Sequence, residues 1–158
     1  MADAQKTLTQ RLLRQWESPP VWLLLFIAIA WVQSRAVPIW DAGRWGNWVG
    51  SCLAFAGILM MVASLRQFAA AKTTVIPRET ATVLITDGVY KLSRNPIYLA
   101  DALILGGLAV IWDVAAVFWV VPFVLVIQQR FILGEEAGLR AGFGVQFEDW
   151  AKKTRRWL

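Results

Sequence analysis

Three stretches of this chain carry no charge at all: residues 21–32, 49–65 and 114–127. A soluble helix or strand keeps one face polar, so charge interrupts its apolar residues every few positions. Uninterrupted runs of this kind belong in lipid or in a very large core. A chain of 158 residues cannot enclose a very large core. The reading is a single integral membrane domain. Composition agrees: 58% of residues are apolar and 17% charged, where a soluble domain carries about a quarter charged.

The expected fold is all-α, with about four transmembrane helices. The first is predicted over residues 19–37, where Pro19 and Pro20 suit a helix start. The second is predicted over 45–68, the third over 96–112 and the fourth over 114–133, with Pro122 as its expected kink. The last two meet at Trp112-Asp113, which requires a tight helix 3–helix 4 hairpin. The third helix is short, near the lower limit of roughly 17 residues for a span.

Basic residues set the orientation. With four spans, every lysine and arginine except Arg35 and Arg44 falls on the side of both termini. That side is therefore expected to be cytoplasmic. Trp16, Trp40, Trp45, Trp48, Trp112 and Trp119 fall near predicted helix ends, where indoles anchor at the interface. Phe143, Phe147, Trp150 and Trp157 share a helical face beside Lys152, Lys153, Arg155 and Arg156. They predict a C-terminal cytoplasmic amphipathic helix lying on the membrane or under the bundle. The net charge of +5 is explained by anionic headgroups, not by nucleic acid. Residues 1–16 are polar and do not read as a cleaved signal. The localisation expected is integral membrane, leaning towards a bacterial inner membrane.

Several chemistries are excluded. The chain has no histidine and one cysteine, Cys52, so no zinc or other nitrogen- and sulfur-ligated metal site can be built. Serine–histidine and cysteine–histidine catalysis fall with it. What remains is polar side chains on the cytoplasmic side of the bundle. Asp87-Gly88 signals a turn after residues 72–86. Arg94-Asn95-Pro96-Ile97-Tyr98 opens the third helix, with Asn95 as expected N-cap and Pro96 in the first turn. Glu135-Glu136 follows the fourth span. The hairpin brings that pair opposite Arg94 and Tyr98, a pocket with both signs of charge and an aromatic ring. Asp101 shares a face with Tyr98 inside the third span, and a carboxylate at that depth is a functional candidate. Its structural alternatives are hydration close to the membrane surface, or pairing with Arg94 or Arg130.

In order and spacing, residues 72–158 resemble the superfamily of isoprenylcysteine carboxyl methyltransferases and phospholipid methyltransferases. The shared pattern reads here as Thr73 or Thr74 to Pro77, Leu84 to Tyr90, Arg94-Asn95-Pro96-Ile97-Tyr98, a helical hairpin, and Glu135-Glu136. Phe143-Gly144 with Phe147 and Trp150, and Arg155-Arg156-Trp157, complete it. The first two spans match only in being apolar. The resemblance implies S-adenosylmethionine as methyl donor, bound at the cytoplasmic end of the hairpin and covered by the C-terminal segment. It implies cofactor contacts from Tyr90, Arg94, Asn95, Pro96, Tyr98, Leu99 and Glu135. Glu136, Arg130 and a C-terminal arginine such as Arg155 would sit towards the acceptor. Two positions depart from the pattern. Asn95 stands where many members have histidine, which removes imidazole as a base. Asp101 stands where small residues are common; it could take a proton from an amine or thiol acceptor, or select a cationic headgroup.

The activity expected is methyl transfer to a lipid-soluble acceptor: an isoprenylcysteine-like carboxylate, a phospholipid amine, a fatty acid or a small thiol. The alternative is a non-catalytic scaffold or lipid-binding protein that keeps the family fold.

Overall fold

The computed structural model describes residues 18–71 and 83–158. Among these the protein is helical, with no strand. Helix α1 is Pro19–Ala36, α2 is Gly43–Ala71 and α3 is Pro96–Trp112, preceded by a 3-10 turn at Gly88–Lys91. A continuous helical run then spans Val114–Phe143. It opens as a 3-10 segment at Val114–Trp119, becomes α4 at Val120–Ile127, and passes through a π turn at Gln128–Ile132. It continues as α5 at Leu133–Phe143. Helix α6, Val145–Lys153, closes the chain.

Helices α1 and α2 and the Val114–Phe143 run are each long and apolar enough to cross a membrane. Helix α3 has 17 residues and reaches only about 25 Å at 1.5 Å per residue, short of a hydrocarbon layer of about 30 Å. The outward faces of α1, α2 and α4 expose Leu24, Phe55, Leu59 and Leu125, each by more than half. Water would not tolerate such a continuous apolar belt, and lipid would.

Helix α3 is the centre of the bundle, in contact with α1, α2 and α4. Its approach to α2 is as close as backbone allows. A Cβ placed on Gly50 would lie 2.5 Å from the carbonyl oxygen of Gly107, and one on Gly57 would lie 2.8 Å from that of Ala100. Small residues bring the two backbones together because, without a water-driven hydrophobic force, packing contact holds membrane helices together. On the other side of α3, Phe26, Leu105, Phe123, Ile127 and Phe131 form one core. Phe26 meets Phe123 edge-on, with centroids 5.6 Å apart at 71°.

The hairpin forms as the sequence requires, and Asp113 does more than turn the chain. Its Oδ2 accepts from Gln33 Nε2 at 3.1 Å and from Ile39 N at 2.7 Å. Its Oδ1 accepts from Trp40 N and Ala115 N, both at 3.0 Å. One buried carboxylate thus staples the α1–α2 connection to the α3–α4 connection. Burial works against its charge, but the donors from Ile39, Ala115, Trp40 and Gln33 outweigh burial and hold its pKa below the usual carboxylate range.

The fourth helix departs from expectation in length. It was expected to stop near Leu133, and instead the run reaches Phe143. Gly134 lies inside it without ending it, because a glycine weakens a helix by only about 1 kcal/mol. Termination comes at Gly144, whose φ of +50° turns the chain into α6. Glu135 and Glu136 therefore sit in the first turn of α5 rather than beyond the span. Pro122 lies in the first turn of α4, directly after the 3-10 segment.

Candidate functional site

Gly88 takes a φ of +58° at the start of the 3-10 turn. Gln67 of α2 spans this turn, donating from Nε2 to Asp87 O at 2.7 Å and accepting from Val89 N at 3.3 Å. The turn directs Tyr90 inward, where 6% of it is exposed. Its ring meets Phe68 edge-on at 5.9 Å, and its carbonyl accepts from Trp150 Nε1 at 3.2 Å. Burial first, and then the charge of Glu135, push the Tyr90 phenol up.

Ser93, Asn95 and Pro96 are buried, and Arg94 is half-buried. Asn95 occupies the N-cap position of α3, but its side chain does not cap the helix. Instead Nδ2 donates to the carbonyl of Arg156 at 3.2 Å. Ser93 Oγ donates to the same carbonyl at 3.1 Å and accepts from Asn95 N at 3.1 Å. The expected cap is thus replaced by a bond to the tail, whose carbonyl lies within reach of the amide. Arg94 N donates to Arg155 O at 2.9 Å.

The charged part of the tail closes on α5. Arg156 donates from Nε and Nη2 to the two oxygens of Glu136, at 3.0 and 2.7 Å. Arg94 Nε lies 3.3 Å from Glu136 Oε1. Glu136 is 4% exposed, so its charge is balanced by two guanidinium groups rather than by water. Trp157 Nε1 donates to Gln128 Oε1 in the π turn at 3.0 Å. Residues 155–157 therefore run across the N-terminus of α3 and onto the π turn.

Beneath this strap, Tyr98 donates its hydroxyl to Glu135 Oε1 at 2.6 Å. The Tyr98 and Phe131 rings lie 6.4 Å apart, and Leu99 is buried beside them in sequence. Asp101 is 5% exposed and lies three residues after Tyr98 on α3. The ion pair of Arg94 is with Glu136.

The structure thus gathers Tyr90, Arg94, Asn95, Pro96, Tyr98, Glu135 and Glu136 at one end of the bundle, with Asp101 deeper on the same helix. The Arg130 guanidinium lies over Trp22 of α1 at 5.1 Å from the ring centroid. The C-terminal arginine whose side chain reaches the site is Arg156. Arg155 contributes its backbone carbonyl, and its side chain is exposed. Ser93 and Gln128 were not foreseen. Nothing in a lone serine or glutamine distinguishes them until the tail is placed. The segment 72–82, with Thr73, Thr74 and Pro77, lies outside the described residues.

A family model for phospholipid methyltransferase matches residues 45–146, which includes all but the first two residues of α2, the Arg94–Tyr98 turn, the hairpin and both glutamates. No curated protein and no solved structure matches the chain. The match covers well over half of the sequence and every candidate side chain except those of the tail: the chain belongs to the phospholipid methyltransferase family.

Proposed function

We propose that this protein transfers a methyl group from S-adenosylmethionine to an acceptor carried in the membrane, at the end of the bundle where the tail crosses α3. The observation that carries the reading is the Tyr98–Glu135 contact of 2.6 Å roofed by residues 155–157. The donor set fits the cofactor's charges. Glu135, with Asp101 below it, offers negative charge to a sulfonium and an ammonium. Arg94 and Arg156 form a cationic edge for a carboxylate. Tyr90, Tyr98 and Phe131 supply ring faces for a base.

S-adenosylmethionine supplies a methyl group already activated on sulfur, so the protein's task is alignment and exclusion of water. Tyr98 fixes the orientation of Glu135. Glu136, held by Arg94 and Arg156, fastens the tail over the site. Asp101 is placed to accept a proton from an amine or thiol acceptor, or to favour a cationic headgroup. Arg130, exposed beside Trp22, faces the acceptor's headgroup from the bundle edge. The same reading makes α3 the fourth span and sets both termini on the cytoplasmic side, supported by the charge distribution.

The test is incubation of the purified protein in detergent with labelled S-adenosylmethionine and a total membrane lipid extract. Label is expected in a lipid product. Calorimetry is expected to show cofactor binding that is lost in Tyr98→Ala and Glu135→Ala. Absence of binding to the wild type overturns the proposal. One observation favours a second reading, a non-catalytic lipid-binding protein: Asn95 has no imidazole, and its amide is engaged by the tail. Binding without transfer to any lipid would select it. Full turnover by Asp101→Asn on the identified acceptor would remove the role given to Asp101.

A further inference from the structure

At the end of the bundle away from the tail, α1, α2 and α3 enclose an open cleft of about 490 Å³. Its walls include Ser34 and Arg35 at the end of α1, Arg44 and Asn47 in the first turns of α2, and Ile111 and Trp112 at the end of α3. Arg35 and Arg44 are the two basic residues that the sequence sets apart from all the others. Neither has an ion pair among the described residues. Asp41 also lines the cleft; its Oδ1 accepts from Gly43 N at 2.7 Å, and among the described residues it forms no ion pair with either arginine. The Arg35 guanidinium lies over the Trp31 ring, 5.9 Å from its centroid.

We propose that this cleft binds the phosphate of a phospholipid headgroup from the leaflet that meets this end of the bundle. Two guanidinium groups from different helices converge on one polar space, and guanidinium matches phosphate oxygens in geometry as well as charge. Asn47, exposed at the cleft, adds an amide that can donate to glycerol or ester oxygens. The cleft opens where the three apolar helices end, the depth of lipid phosphates. Trp40, Trp45 and Trp48 at the same end are 62%, 79% and 65% exposed, as interfacial anchors are. Ile111 and Trp112 give it an apolar side facing the acyl chains. This site is separate from the Tyr98–Glu135 site and does not depend on the methyl-transfer reading.

The experiment is a thermal melt of the full-length protein in neutral detergent, with phosphatidylglycerol, phosphatidylcholine or soluble glycerol phosphate added. The wild type is compared with Arg35→Gln/Arg44→Gln and with Arg35→Lys/Arg44→Lys. The expected result is a rise in melting temperature with phosphatidylglycerol, needing about tenfold more lipid in the glutamine double variant. The lysine double variant should fall between them, because charge remains while the planar fork is lost. Both positions are exposed, so neither substitution disturbs the core. Equal stabilisation by soluble glycerol phosphate would keep the phosphate site and assign it to a free phosphate ester. An unchanged lipid response in the glutamine double variant, or no response in the wild type, overturns the proposal.

Discussion

Arg156 grips Glu136 with two parallel hydrogen bonds, at 3.0 and 2.7 Å, and thereby ties the end of the chain to the fourth helix. The carboxylate is 5% exposed in its side chain and the guanidinium 32%, so the pair is shielded on one side only. Arg156→Gln is expected to destabilise the protein by roughly 1–3 kcal/mol, less than a fully buried pair, because Arg94 still faces Glu136. Cofactor affinity should fall with it, since the roof is loosened. Arg155→Gln should change neither, because Arg155 contributes only its carbonyl. Thermal melts and calorimetry on both variants check this, and equal losses would show that the tail acts only through its net charge.

Tyr98→Phe keeps the ring packed near Phe131 and removes the hydroxyl that donates to Glu135. The expected cost is about 1.5–3 kcal/mol of stability, the scale of a hydrogen bond to a charged group. Cofactor binding should weaken by about tenfold while the melting transition remains cooperative. Glu135→Gln should weaken binding further, since it removes the charge as well as its orientation.

Gly50→Val is expected to prevent the α2–α3 seam from closing. The added Cβ alone would come within 2.5 Å of Gly107 O and 2.7 Å of Ile111 Cγ1, and backbone cannot move aside cheaply. A loss of roughly 3 kcal/mol or more should appear as poor yield of monodisperse protein. Gly106→Ala is the control: its nearest neighbour would be Val120 Cγ2 at 3.6 Å, an ordinary contact. It should be tolerated.

Asp113→Asn should loosen the end opposite the tail. An amide offers one acceptor oxygen in place of the two that now receive Gln33, Ile39, Trp40 and Ala115. The expected cost is about 2 kcal/mol at neutral pH. The carboxyl's folded pKa is depressed, so the stability it adds is fully present above the unfolded value of about 3.9 and is lost as pH falls through the lower folded value. Melting temperature should therefore drop more steeply below about pH 4 in the wild type than in the variant.

Much of the architecture was legible because apolar runs and prolines act locally. Pro19 and Pro96 opened helices where the sequence placed them, and Trp112-Asp113 forced the hairpin. The end of the fourth helix was misplaced because charge was taken to end it. Helical hydrogen bonding does not stop at Glu135, and only the positive φ of Gly144 stops it. The site was legible as a set of residue types near one turn. The division of labour within it was not: Arg94 and Glu136 became part of a tail clasp, and Asn95 exchanged a helix cap for a tail carbonyl.

The sequence by itself determined that this chain is helical, suited to lipid, without histidine and similar to membrane methyltransferases. These follow from composition and from residues close in sequence. Only the tertiary structure decided which arginine meets which glutamate, and that Asp113 joins two connections rather than one. Those outcomes depend on contacts between Glu136 and Arg156, or Asp113 and Gln33, which lie 20 and 80 positions apart. Two buried carboxylates can take whichever donors the folded backbone delivers, and no local pattern in the chain specifies that delivery.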